Sequence, residues 1–118
     1  MDKKYKMTEG IVEFDDWQKL DLVVGEIQQV EDIEGADKLY KLSVDIGSEV
    51  RVICAGIKEF YSHDDLRGRK CIVFINLKPR KLKGIESQGM VLAAVKGDDE
   101  KVSLLQPDAD MNVGVKIM

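Results

Sequence analysis

Four cationic side chains, Lys78, Arg80, Lys81 and Lys83, fall within six residues of the stretch NLKPRKLKGIESQGM, residues 76–90. Ammonium and guanidinium groups so closely spaced repel one another unless an anion sits among them, and phosphate oxygens suit both. The run extends further back. No Asp or Glu occurs between Leu66 and Ile85, a span that also holds Arg67, Arg69 and Lys70. With those seven positive charges set against a net −4 for the chain, the remainder carries −11. A solvated surface loop is the plain alternative. Against it stands the absence of any acid within the run in a chain that has acids everywhere else. One positive face on a molecule that repels phosphate elsewhere suits a large, shaped polyanion such as a folded RNA.

The residues that follow, Glu86-Ser87-Gln88-Gly89-Met90, add polar groups able to bond phosphate or a 2′-hydroxyl, and a glycine that lets another backbone come close. Met90 is open to two readings, an apolar contact for a base or ribose and a core residue at the start of a strand. Pro79 stiffens the segment between the cations. Exposed aromatics, on which single strands stack, are missing from the basic segment, where the one aromatic is Phe74 in an apolar run. Shape and backbone recognition is therefore favoured over base reading.

Catalytic chemistry finds no footing. His63 is the single histidine, beside Asp64 and Asp65, and reads as a surface residue. The pairs Asp15-Asp16, Asp64-Asp65 and Asp98-Asp99 sit at turn or cap signals, where Asp is favoured for backbone reasons. Cys54 and Cys71 lie in apolar runs and read as buried thiols of a reducing cytoplasm; with one histidine they form no metal pattern. No nucleophile elbow or phosphate-cradling glycine loop occurs. No catalytic residue, metal or cofactor is expected. No apolar run approaches membrane-spanning length and no signal peptide is visible, so the expected setting is the cytoplasm.

The elements that must hold the basic segment are mostly strands. Residues 1–12 are weakly patterned and read as a mobile lead-in to one domain over 13–118. Glu13–Leu20 suits a short helix with Asp15 or Asp16 capping its start. Leu22–Val30 is β-rich, and Gly25 within it suggests a bulge or bend. Leu39–Ile46 alternates, with Tyr40, Leu42, Val44 and Ile46 on one face. Glu49–Ala55 follows as a hairpin partner, Ile57–Leu66 as one or two helical turns, Lys70–Leu77 as a strand buried on both faces, and Gly89–Val95 as another strand. Lys101–Gln106 and a short Val113–Met118 strand end the chain. Five main strands with a helical segment between the third and fourth predict an all-β protein: a five-stranded Greek-key OB-fold barrel with short helices and a C-terminal extension. A small SH3-like barrel gives a similar string.

Four motifs in order, Asp21-Leu22-Val23-Val24-Gly25-Glu26-Ile27, Ala36-Asp37-Lys38-Leu39, Asn76 to Gly84 and Glu86 to Met90, closely resemble the tRNA-binding domain family. That family includes the C-terminal domain or separate beta subunit of methionyl-tRNA synthetase and free-standing structure-specific tRNA-binding proteins. The resemblance runs from about Trp17 to the C-terminus. It implies an OB-fold that binds tRNA by shape and a homodimer paired through the extension 106–118. By position, Lys38, Lys83, Ser87 and Met90 resemble the family's RNA-contacting residues. The charge argument adds Asn76, Lys78, Arg80 and Lys81, and the polar motif adds Gln88. The expected function is that of a non-catalytic module serving methionyl-tRNA synthetase, with tRNA, a second copy and a synthetase catalytic chain as partners and no membrane. The alternative is an export-related or general chaperone, or a dimerisation module, on the same barrel.

Overall fold

The computed structural model describes residues 10–98 and 100–118, so most of the expected lead-in, and Asp99 of the third acidic pair, lie outside the described residues. Residues Ile11 and Val12, at the end of that lead-in, are exposed. The chain forms α1 (Phe14–Gln18), β1 (Leu22–Asp32), β2 (Tyr40–Asp45), β3 (Val50–Ala55), α2 (His63–Leu66), β4 (Lys70–Phe74), β5 (Arg80–Leu82), β6 (Ile85–Ser87), β7 (Met90–Val91), β8 (Ala93–Lys96) and β9 (Lys101–Leu104). One five-stranded antiparallel sheet, in the order β3-β2-β1-β4-β7, curls into a nearly closed barrel; β5–β6 and β8–β9 are separate hairpins. The architecture is the OB-like barrel that the strand order predicts.

Alternation builds the wall. On β2, Tyr40, Leu42 and Val44 are buried while Lys41, Ser43 and Asp45 are half-buried. Ile27, Leu42, Ile53 and Leu66 are among the largest side chains removed from water inside the barrel, each contributing about 1.5–3 kcal/mol of burial free energy. Buried Cys71, Ile72 and Val73 confirm β4 as a strand covered on both faces. Both thiols are free and buried. Burial pushes the Cys71 thiol up to about 12, so it stays protonated.

Several local expectations are corrected. The bulge in β1 lies not at Gly25 but between Ile27 and Gln29, where the register against β2 shifts. Gly25 instead answers a packing need: a Cβ there would come within 2.8 Å of Val73 and 2.9 Å of Val44. The start of α1 is Glu13, which makes no side-chain cap; Asp15 and Asp16 lie in the first turn. The real capping box belongs to α2, where Ser62 Oγ accepts the Asp65 N–H and Asp65 accepts the Ser62 N–H, both at 3.1 Å. Residues 113–118 form no strand proper. They run beside β1, with bonds from Val24 N–H to Val115 O (2.9 Å), Gly114 N–H to Val24 O (2.8 Å) and Ile117 N–H to Leu22 O (2.8 Å). Their role is to cover Leu22, Val24 and Ile72 on the barrel's outer face, which Ile117 helps to seal.

Candidate nucleic-acid interface

The chain leaves the wall at Phe74 and returns beside it at Met90, its register partner. The sequence predicts a strand running on to Leu77 and no further element before Gly89, whereas β4 ends at Phe74. The segment instead contains a small hairpin, in which Arg80 pairs with Ser87, Lys81 with Glu86 and Leu82 with Ile85. The link is the two-residue turn Lys83-Gly84, with φ of 52° and 80°. Positive φ at both central residues is the type I′ arrangement, which matches the twist of the flanking strands. Gly84 adopts it freely. Lys83 is the single non-glycine with positive φ among the described residues, so the tip holds a bulky cation in a conformation it disfavours.

Apolar packing fixes the hairpin against the barrel. Leu82 and Ile85 rest on a separate small cluster of Ile33, Ala36 and Cys54, with Leu39 beside them. This docking carries Lys83 to the β1–β2 turn, where it lines a cleft with Gly35, Asp37 and Lys38. Two cations 45 positions apart in the chain thus share one cleft. Lys38, Lys78, Arg80, Lys81 and Lys83 are all exposed, and none has a carboxylate within salt-bridge distance among the described residues.

The other half of the basic run is different. Arg67 pairs with Asp64, and Lys70 reaches Asp110 at 3.4 Å and the Met111 carbonyl. Arg69 donates to Asp65 O (3.1 Å) and Gln106 Oε1 (3.4 Å) and lies over the Tyr61 ring. Arg67, Arg69 and Lys70 lie at or before the start of β4, while the cations from Lys78 onward follow it, and a five-residue strand spans about 13 Å. The expectation of one uncompensated patch flanking the strand is therefore corrected. In the first group Arg67 and Lys70 are paired with carboxylates and Arg69 is held by a carbonyl, an amide oxygen and a ring, whereas the cations from Lys78 onward have no such hold among the described residues.

Of the remaining candidates, Asn76, Ser87 and Gln88 take inward or bridging places. Asn76 is a clamp: its Oδ1 accepts the Asp21 N–H and its Nδ2 donates to Lys19 O, each at 2.8 Å. Ser87 is 3% exposed, and its Oγ accepts the Cys54 N–H at 3.0 Å while donating to Gly89 O at 3.2 Å. Gln88 Oε1 accepts the Val52 N–H at 3.1 Å. Gly89, at φ 141°, does bring backbones together, since a Cβ there would lie 2.8 Å from the Phe74 carbonyl oxygen. Met90, undecided from spacing alone, is 39% exposed.

Sequence reasoning missed Arg51. Its Nη1 donates to Ile75 O (2.7 Å) and Gln88 O (3.2 Å), while Nε donates to Glu49 Oε2 (2.8 Å). One guanidinium thus straps both ends of the excursion. No signal in the alternating β3 segment distinguishes it, because its partners are carbonyls that only the folded chain brings near.

Three comparisons bear on this geometry. A family model described as "Putative tRNA binding domain" matches residues 22–116. A methionine–tRNA ligase of Thermococcus onnurineus is 51% identical over 119 residues, which cover 98% of this chain and 16% of that enzyme. The chain thus spans about a sixth of the length of the relatives it matches. Among solved structures, a MetRS-related protein from Pyrococcus horikoshii superposes with a TM-score of 0.84 at 37% identity, covering 92% of this chain and 98% of that one. The chaperone CsaA from Bacillus anthracis gives the same TM-score at 28% identity, covering 92% of this chain and all of its own.

Proposed function

We propose, for a chain that belongs to the tRNA-binding domain family, that it holds folded tRNA by its backbone, without doing chemistry itself, as an appended domain or beta subunit of a methionyl-tRNA synthetase in the cytoplasm. The observation that carries this reading is the set of unpaired, exposed cations on and beside the β5–β6 hairpin, with Lys38 sharing a cleft with Lys83, on an otherwise acidic barrel. Lys78, Arg80, Lys81, Lys83 and Lys38 would meet phosphates, and Met90 would give an apolar contact to a ribose or base. Ser87, Gln88 and Asn76 belong to the site through the bonds that hold it. Acids elsewhere on the surface would repel any RNA not seated on the hairpin. The high identity to methionine–tRNA ligases supports the synthetase setting.

The deciding experiment is a titration with total tRNA, beside double- and single-stranded RNA of equal length, across a salt series. Neutralising some four phosphates gives a log K against log salt slope of about −3 to −4. Preference for tRNA with that slope is the expected result, and a flat salt response counts against the mechanism. The likeness to CsaA favours a second reading, a peptide-binding chaperone on the same barrel. That reading predicts no tRNA retention at physiological salt and protection of an unfolded client.

The protein is also proposed to pair with a second copy. Phe14 and Trp17 of α1 and Leu20 just after it are exposed and line a hollow with Ile117 and Met118 at the far end of the chain. A contiguous apolar surface of this kind on a small acidic domain suits burial against an equivalent surface. Replacing Phe14 and Trp17 together by Asp is expected to convert a dimer to a monomer in sedimentation equilibrium. A wild-type protein that sediments as a monomer counts against the pairing.

A further inference from the structure

We propose that Arg51, Ser87 and Gln88 are positioning residues for the basic hairpin, closing the barrel with side chains and thereby fixing where the cations stand. The proposal rests on the reading of that hairpin as the RNA site.

In a regular barrel the last strand would meet β3 through a ladder of backbone bonds. Across residues 87–89 a single backbone bond crosses to β3, from Gln88 N–H to Val52 O at 2.8 Å. Side chains supply the next two bonds. Gln88 Oε1 takes the Val52 N–H and Ser87 Oγ takes the Cys54 N–H, places a ladder would give to carbonyls. Arg51 completes the seam by bonding the carbonyls of Ile75 and Gln88, which bracket the whole excursion. Its planar fork is held by Glu49, so both carbonyls are fixed relative to each other. The hairpin has little else beneath it: a three-pair ladder and the small Leu82–Ile85 contact. Loosening the seam frees the cations to spread, and the RNA must then spend binding energy to order them. The polar residues next to the basic run would accordingly act on RNA affinity through the backbone.

Gln88 separates this from direct contact, because its Nε2 has no protein partner among the described residues and is free to reach a phosphate. Gln88→Glu keeps an acceptor for the Val52 N–H and places a carboxylate where the amide nitrogen was. Gln88→Leu removes the acceptor. Amide exchange by NMR is measured on the free protein, and total-tRNA affinity on the same samples. With Gln88→Glu, Val52 exchange stays slow and affinity stays within about tenfold, the worth of one phosphate contact should the new carboxylate cancel Lys78 in the hollow they share, whereas a lost direct amide–phosphate bond turned to repulsion costs more. With Gln88→Leu, Val52 exchange accelerates and tRNA affinity falls, each by roughly tenfold, the worth of one orphaned amide, while the salt slope is unchanged. Arg51→Met gives the same signature in affinity and slope.

A Gln88→Glu loss beyond tenfold with Val52 still protected overturns the proposal in favour of direct contact. So does a Gln88→Leu variant with wild-type exchange or wild-type affinity. Should the wild-type protein itself fail to retain tRNA, the functional reading falls and the RNA half of this proposal with it. The exchange data then decide the closure alone.

Discussion

The Lys81→Glu, Lys83→Glu double variant loses roughly a hundredfold in tRNA affinity near 0.1 M salt, with its thermal unfolding little changed. The magnitude follows from counterion release. Each phosphate neutralised contributes about 0.9 to the salt slope, so removing two such pairings weakens binding by close to two decades relative to molar salt. Repulsion by the new carboxylates adds to this. The slope should shrink by about two as well, which a merely misfolded sample would not show. Both side chains are exposed and make no salt bridge among the described residues, so the barrel has little to lose, while Lys81→Glu faces Glu86 across the hairpin and costs it up to about 1 kcal/mol. Lys83→Asn sharpens the test. Asparagine suits the positive φ of 52° at the turn better than lysine does, so the hairpin is kept or strengthened while one charge goes. Affinity should fall without any fall in stability. Arg67→Glu, at the other end of β4 and already beside Asp64, is expected to leave binding within about threefold, since that cation neutralises no phosphate in this scheme. If Arg67→Glu is as damaging as the hairpin variants, the RNA footprint covers the opposite end of β4 and the present placement is wrong.

Gly89→Ala is expected to be the most destabilising of the small substitutions, by roughly 3–5 kcal/mol, from a strained φ and a collision acting together. The φ of 141° is one that an L side chain rarely adopts, and the added carbon would sit 2.8 Å from the Phe74 carbonyl oxygen. That oxygen is backbone of a wall strand and has no free direction to retreat. A loss of this size is a large share of the stability of an ordinary domain and lowers the melting temperature by roughly 10–20 °C. Gly35→Ala is the matched control, with φ of +78° and nothing within 4 Å of the new carbon. It reports strain alone, about 1 kcal/mol. The difference between the two variants in calorimetry therefore reports the collision together with the greater strain at φ 141°. Equal losses would mean that the close approach of residue 89 to β4 contributes nothing, and that the barrel closes there by another contact.

Alternating apolar residues made β2 legible, because a pleated strand turns successive side chains to opposite faces. The unbroken apolar run marked β4 as covered on both sides for the same reason. The basic segment was legible as a concentration of charge, and its attachment to a β barrel as a consequence of strand order. Glycine roles were harder to read. Gly25 is visible in sequence as a break in a strand yet answers to Val73 and Val44, whereas Gly89 was legible as a place where another backbone comes close, without the Phe74 carbonyl being legible as the neighbour. Short elements suffered most. The β5–β6 hairpin has three pairs and takes its stability from Leu82 and Ile85 on Ile33 and Ala36, residues with no local trace of that contact.

Sequence by itself settled that the chain is a β barrel with its positive charge drawn into one segment, since side-chain period and charge order are local properties written along the chain. Tertiary structure alone decided which of those charges remain free. Asp110 comes from the far end of the chain to reach Lys70, whereas Lys78, Arg80, Lys81 and Lys83 stand on or beside a hairpin and make no such pair among the described residues. It also decided that Ser87 and Gln88 face β3, where their oxygens meet the N–H groups of Cys54 and Val52. The physical reason is common to both outcomes. Coulomb pairing and hydrogen bonding act over a few ångströms of space, and only the closed barrel sets those distances between residues more than thirty positions apart in the chain.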